Sequence, residues 1–144
     1  MLVEHARTLL GIDAASHAEY DRGGVEVVTL LSCSLTESQI EISITPGTRL
    51  ADVHAGESRR VERTHCSYGL SPDFAHIASA AGLRVSAVDD TGEVRAVERT
   101  DHPFFLGTLY QPQRTSSPEH PHPVWVAFVR AVAGGRDLGR RRQR

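Results

Sequence analysis

The chain has 144 residues with a formal charge of −2, 40% apolar residues and 24% charged residues, which fits one globular domain and leaves no room for a second of similar size. Its near-neutral charge gives no overall attraction to nucleic acid or to an anionic membrane, so neither is an expected partner. Two cysteines cannot form a disulfide framework, and no signal peptide or apolar run of about eighteen residues is present, so we expect a cytoplasmic location.

The N-terminal residues predict a helix followed by a loop. Apolar residues recur at helical spacing from Leu2 to Leu10 and stop at Gly11, which is typical of an amphipathic helix that ends at a glycine. Nothing upstream supplies a partner for its apolar face. Residues 12–24 are polar and end in two glycines, so they are expected to form a long loop.

Four stretches in the next part of the chain favour strands. Residues 25–31 are β-rich, and residues 39–45 alternate isoleucine with polar side chains, which predicts one buried and one exposed face. A Pro-Gly pair then turns the chain, and residues 50–54 are interpreted as a short strand. Residues 61–70 favour a further strand of mixed polarity.

A helix and a hairpin are predicted next. Ser71 as the N-cap and Pro72 at the first helical position mark the start of the helix, and Gly82 marks its end. Residues 83–88 and 93–98 are β-rich and flank an Asp-Asp-Thr-Gly turn, so they are expected to pair as a hairpin.

An apolar stretch at residues 104–110 predicts a buried strand whose C-terminal end carries polar groups. Gln111 and Gln113 stand there on either side of a proline. The last helix is expected to follow Pro123 and to end at two glycines near residue 134. We therefore assign residues 1–135 to one domain and residues 136–144 to a basic, disordered tail.

The histidines and cysteines show no ligand or nucleophile pattern. His120 and His122 lie in a proline-rich loop and are predicted to be solvated, so the sequence predicts no metal site. Cys33 and Cys66 are interpreted as structural thiols. No Gly-x-x-x-x-Gly-Lys or Gly-x-Gly-x-x-Gly stretch is present, so no cofactor is expected.

An ordered set of residues that runs from residue 1 to about 133 matches the pattern of one family. The set consists of Glu4, His5, Ala6 and Arg7, then Ala18, Glu19, Tyr20 and Asp21, then Glu62, Arg63 and Tyr68, then Ala81, Gly82, Leu83, Arg84 and Val85, and finally His102, Pro103, Phe104, Phe105, Pro112, His122 and Pro123. It resembles the C-terminal glutamine amidotransferase domain of CTP synthase, and it is similar to CTP synthase-related proteins that lack the synthetase domain.

The resemblance implies an α/β fold of the class I glutamine amidotransferase type. Such a fold has an open, flavodoxin-like sheet with flanking helices, here incomplete and with a β-rich insertion. In this family an elbow cysteine attacks glutamine, a histidine and a glutamate activate that cysteine, and the released ammonia converts UTP to CTP. The elbow would precede Met1, so the chain looks truncated, and a missing N-terminal half or a synthetase partner is expected.

Carried over to this chain, the resemblance leaves a degenerate site. Gln111 and Gln113 stand where the family has its catalytic histidine and glutamate, and Ser67 stands where an arginine holds the substrate carboxylate. Glu19 and Tyr68 match substrate-binding positions. An amide has no usable pKa near neutrality and cannot shuttle a proton.

We therefore expect a site that does not hydrolyse glutamine but retains glutamine or a related small molecule as its ligand. The alternative is a non-enzymatic module that associates through its first helix and its sheet edge, with a second copy or with another chain.

Overall fold

The computed structural model describes residues 1–20 and 23–141, without the side chains of residues 32–37, 80 and 135–141. In chain order the elements are helix α1 (Leu2–Leu10), strands β1 (Ala15–His17) and β2 (Val25–Ile44), helix α2 (Arg49–Val53), strand β3 (Arg59–Leu70), helix α3 (Pro72–Ala80), strands β4 (Leu83–Asp89), β5 (Val94–Arg99) and β6 (Leu106–Thr108), a 3-10 turn (Pro112–Arg114) and helix α4 (Pro123–Arg141). The side chain of Cys33 and residues 142–144 lie outside the described residues, so the predictions made for them are not addressed below.

The six strands form one open sheet around the long strand β2. On one side β2 pairs with β3, and on the other it pairs with β1 near its start and with β4 near its end. The sheet continues through β5 to β6, and only the β1–β2 pair is parallel. This is the predicted mixed α/β sheet with flanking helices.

Two apolar clusters cover the two faces of the sheet. The first contains Ala6 of α1, Phe74 of α3 and Val97, and the second contains Leu50 of α2 and Ala96. Because neighbouring residues of a strand point to opposite faces, the adjacent pair in β5 assigns the two clusters to opposite sides of the sheet. The domain therefore has helices on both faces.

Helix α1 has a partner surface within the chain. Ala6 is fully buried, and Leu2, Val3 and Leu10 pack against the same cluster as Val27 of β2. The helix ends at a glycine with φ of 67°, as predicted. The expectation that its apolar face lacks a partner is therefore wrong.

The prediction for residues 50–54 is also wrong, because residues 50–53 form most of helix α2 and His54 is its C-cap. The Thr48 hydroxyl accepts a hydrogen bond from the amide of Ala51 at 3.2 Å. The buried carboxylate of Glu98 accepts bonds from the amides of Arg49 at 2.8 Å and Leu50 at 3.1 Å. The unpaired amides of a helix N-terminus thus find partners, one of them 48 residues away in the chain.

Other element boundaries differ from the sequence prediction. The two strands expected at 25–31 and 39–45 are parts of the single strand β2, and the loop expected at 12–24 contains β1. The strand expected at 104–110 is reduced to three half-buried residues, since β6 pairs only with β5 at the end of the sheet. Helix α4 continues past the glycines at its predicted end as far as Arg141. Within the described residues, none of the helices is both long enough and apolar enough to cross a membrane.

Candidate functional site

A cavity of about 370 Å³ lies between the start of α1 and the sheet. Apolar residues of β2, β3 and β5 form most of its wall, together with Met1. Six residues with polar side chains also line it: His17, Glu19, Cys66, Tyr68, Thr108 and Gln111. An apolar cavity with a few convergent polar groups is the usual form of a small-molecule site.

The segment after β1 brings His17 and Glu19 to the cavity. The amide of Glu19 donates to Nδ1 of His17 at 3.1 Å, so in the neutral ring the proton lies on Nε2. The His17 ring lies 4.9 Å from the ring of Tyr20 and 5.4 Å from that of Tyr68, both tilted. A hydrogen bond with the Glu19 carboxylate, together with its charge, raises the pKa of the exposed Tyr20 hydroxyl. The Tyr20 hydroxyl therefore holds the Glu19 side chain beside the cavity.

Strand β3 brings Cys66 and Tyr68 to the same cavity. Sγ of Cys66 donates to the carbonyl oxygen of Tyr68 at 3.2 Å and accepts from its amide at 3.5 Å. A backbone carbonyl is not a base, so this contact does not produce a thiolate. Ser67, between these two residues, is not one of the residues that line the cavity, as expected where successive side chains of a strand alternate.

The two glutamines that follow the last strand are placed differently. Gln111 lines the cavity; its Nε2 donates to the carbonyl oxygen of His65 at 3.3 Å, and its buried Oε1 has no partner among the described residues. Gln113 lies on the 3-10 turn with its side chain exposed. Of the predicted site residues, the structure therefore brings Glu19, Tyr68 and Gln111 together but not Ser67 or Gln113. Their predicted roles remain predictions.

Three further polar residues are buried together beside Tyr110 of the second apolar cluster, outside the cavity. His54 ends α2, Glu62 lies on β3, and His122 precedes α4, and the exposed fractions of the three residues are 3%, 1% and 2%. Nε2 of His122 lies 2.9 Å from Oε1 of Glu62, which also accepts from Nε of Arg60 at 2.6 Å. The prediction that His122 is solvated is wrong, because Glu62 and the ring of Tyr110 enclose it.

The charges in this buried group follow from its contacts. Burial by itself would raise the pKa of Glu62, but hydrogen bonds from His122 and Arg60 outweigh it and hold that pKa below its usual value. Burial and then the charge of Arg60 lower the pKa of His54 to about 4. At pH 7 Glu62 is therefore an anion and His54 is neutral. No spacing rule could have found this group, since His122 lies 60 positions after Glu62 in the chain.

Comparisons with known proteins agree on one relationship. The chain is 33% identical to a CTP synthase of Archaeoglobus fulgidus over 91% of its length, and 32% identical to one of Sulfurisphaera tokodaii over 92%. It spans only 26–27% of the length of these relatives. The structure matches the glutaminase domain of Trypanosoma brucei CTPS, solved with bound acivicin, with a TM-score of 0.85 and 25% identity, over 92% of this chain and 55% of that one. No protein-family model matches the chain.

Proposed function

We propose that this chain, which is similar in sequence to part of CTP synthases and in fold to the glutaminase domain of one, is an amidotransferase-like domain that binds glutamine or a related amide without hydrolysing it. One observation carries the proposal. Glu19, Tyr68 and Gln111 come from three distant parts of the chain and line one cavity, in a fold that matches a glutaminase domain.

The polar groups of the cavity suit a small amino acid amide. The Glu19 carboxylate offers a negative partner for an amino group, and the unpartnered Oε1 of Gln111, which is buried, would accept from an amide N–H once the side chain turns toward the ligand. The apolar wall, which includes Leu70 and Val97, accommodates methylene groups. The ligand would be held at both ends, with its aliphatic part against the sheet.

The same residues argue against hydrolysis. Thiol attack on an amide needs a base near the sulfur and a proton donor for the leaving amine. The Cys66 thiol is bonded to a backbone carbonyl, and the nearest predicted catalytic position is the amide of Gln111, which cannot take up a proton. Gln113 is exposed on the turn beyond it and has no charge to stabilise an imidazolium.

The biological role that we propose follows from the relatives. In CTP synthases the amidotransferase region supplies ammonia for the conversion of UTP to CTP, so the proposed setting is pyrimidine nucleotide synthesis in the cytoplasm. A synthetase chain is the proposed partner. The chain spans about a quarter of those relatives, so this role is a proposal about an assembly.

Calorimetric titration of the 144-residue chain with L-glutamine, paired with an ammonia assay, tests the proposal. We expect saturable binding and no ammonia above a protein-free blank. Glu19→Gln should weaken binding at least about tenfold, since a hydrogen bond to a charged group contributes about 1.5–3 kcal/mol. Glu119→Gln, which changes an exposed glutamate outside the cavity, is the matched control and should bind as the wild type does.

Two outcomes would overturn parts of this proposal. Folded protein that gives no heat with glutamine would exclude the binding role. Ammonia release that disappears in Cys66→Ala and persists in Cys33→Ala would exclude the inactive assignment.

The alternative function, a non-enzymatic interaction module, is favoured by the outer face of α4. Four large apolar side chains are exposed there at helical spacing: Trp125, Phe128, Val129 and Val132. Helix α1 is packed on the sheet and edge strand β1 has three residues, so α4 replaces them as the proposed contact in self-association. A clean monomer by light scattering at high concentration would contradict this alternative, whereas a dimer weakened by Phe128→Ser would support it.

A further inference from the structure

We propose that His54, Glu62 and His122 form a binding site for a divalent transition-metal ion of the zinc class. Each of the three offers one ligand atom, and these atoms all lie within 4.8 Å of one another. Two imidazoles and one carboxylate are a common ligand set for Zn²⁺ in proteins. None of the three residues lines the glutamine cavity, and the site is independent of the proposed function.

Buried atoms without partners are the main evidence for a missing ligand. Neither ring nitrogen of His54 has a hydrogen-bond partner within the described part of the chain, and the same holds for Oε2 of Glu62. The Tyr110 hydroxyl, whose ring lies 6.2 Å from that of His122, is also buried and unpartnered. An unsatisfied buried polar group costs about 1–3 kcal/mol, so several in one place indicate that something binds there.

The charge of the surroundings accommodates a cation. Arg60 is the positive group beside the site, and its guanidinium is shared between Glu62 and Glu57, the latter at 3.2 Å. One positive and two negative groups leave a net charge of −1 beside the two imidazoles.

Coordination requires small rearrangements that the structure allows. Ligands at 2.0–2.2 Å from a tetrahedral ion are about 3.4 Å apart, so the present separations would close by side-chain rotation. His122 would exchange its 2.9 Å bond to Glu62 for the metal. The proton on its Nε2 would move to Nδ1, which now accepts a 3.2 Å bond from the amide of Val124. That amide lies in the first turn of α4, where unpaired amides are common.

A bound ion would join the end of α2 and the middle of β3, which are successive elements, to the start of α4, which lies 60 positions further along the chain. Because the unfolded chain holds no such arrangement of ligands, the ion would stabilise the fold. A structural role is therefore expected, with an effect on unfolding and not on glutamine binding.

The test uses the untagged, chelator-treated 144-residue chain, titrated with Zn²⁺ and separately with Co²⁺. We expect one equivalent of Zn²⁺ per chain and a rise in Tm of about 5–10 °C when free Zn²⁺ is a hundredfold above its dissociation constant. His54→Gln should weaken binding at least about 100-fold, because losing a group that merely orients a ligand already costs 10–100-fold. His54 makes no hydrogen bond through its ring to any described residue, so this variant removes no existing bond.

His5→Gln is the matched control, since His5 is also buried and also lacks partners for both ring nitrogens among the described residues, yet it lies on α1 at the other cluster. It should bind Zn²⁺ as the wild type does. X-ray absorption of the wild-type complex should show only nitrogen and oxygen atoms around the bound Zn²⁺. This result would exclude Cys66 as a ligand without the need for a cysteine variant. The proposal would be overturned if His54→Gln bound Zn²⁺ as tightly as the wild type, or if the bound Zn²⁺ had a sulfur neighbour. It would also be overturned if the chain bound less than about 0.2 equivalents of Zn²⁺ and a crystal structure showed water between the three side chains.

Discussion

The Glu98 carboxylate holds the N-terminus of α2, and its removal should cost much of the stability of the fold. Glu98 is 2% exposed and accepts two backbone hydrogen bonds, from Arg49 at 2.8 Å and from Leu50 at 3.1 Å. Each hydrogen bond to a charged group contributes about 1.5–3 kcal/mol. Glu98→Ala would leave both amides unpaired, so we expect the free energy of unfolding to fall by about 3–6 kcal/mol. Glu98→Gln keeps one acceptor oxygen and should lose about half of that.

Urea unfolding at pH 7, followed by far-ultraviolet circular dichroism, measures the change. Glu119→Gln alters an exposed glutamate and should stay within about 0.5 kcal/mol of wild type. Thr48→Ala removes two local hydrogen bonds, the one that the hydroxyl accepts from the amide of Ala51 at 3.2 Å and the one that it donates to the carbonyl oxygen of Thr45 at 2.6 Å, and should cost about 1–2 kcal/mol. If Glu98→Ala lost no more than Thr48→Ala, the long-range carboxylate would not be what stabilises this helix.

Two further substitutions test other parts of the fold. Burial by itself would raise the pKa of Asp89, but hydrogen bonds from Thr91 and Arg95 outweigh it and hold the pKa below its usual value. This carboxylate therefore contributes stability above about pH 4 that is lost as the pH falls through the lower folded-state pKa. Asp89→Asn should lower the free energy of unfolding by about 3–5 kcal/mol at pH 7, because it leaves the buried guanidinium of Arg95 without its main partner. In urea titrations the variant should also lose less stability below pH 4 than the wild type does. An unchanged pH profile would refute this. Gly24→Ala should lower Tm more than Gly107→Ala, because the new Cβ would lie 1.9 Å from a backbone carbonyl oxygen at position 24 but 2.3 Å from the mobile end of a methionine at position 107. Equal Tm values for the two variants would contradict the reasoning.

Local sequence patterns determined most of the elements. The alternation of Ile40, Ile42 and Ile44 predicted a half-buried strand, and Ile42 and Ile44 are buried while Glu41 is exposed. The turn between β4 and β5 and the proline start of α3 were equally local, and the structure has both elements where expected. These predictions agree with the structure because each depends only on residues within a few positions of one another.

The candidate site was predicted only in part, and from the family resemblance instead of from local patterns. The match to a family pattern selected Glu19, Tyr68 and Gln111, and the tertiary structure brings these three to one cavity. The same match selected Ser67 and Gln113, which do not line it. A pattern transfers the identity of a position, but strand alternation and the exposed 3-10 turn decide which side chains reach the cavity.

Sequence alone thus predicted the main strands and three of the four described α-helices, because periodicity and turn residues act over short distances, and the family resemblance supplied the class of fold. Only the tertiary structure decided that residues 49–53 form a helix, since Glu98 of β5 supplies the partner for its first two amides. Only it decided that His54, Glu62 and His122 are buried together. The contacts of Glu98 with Leu50 and of His122 with Glu62 join residues that are 48 and 60 positions apart. Because these polar groups are buried, they cannot be solvated and must find partners within the fold.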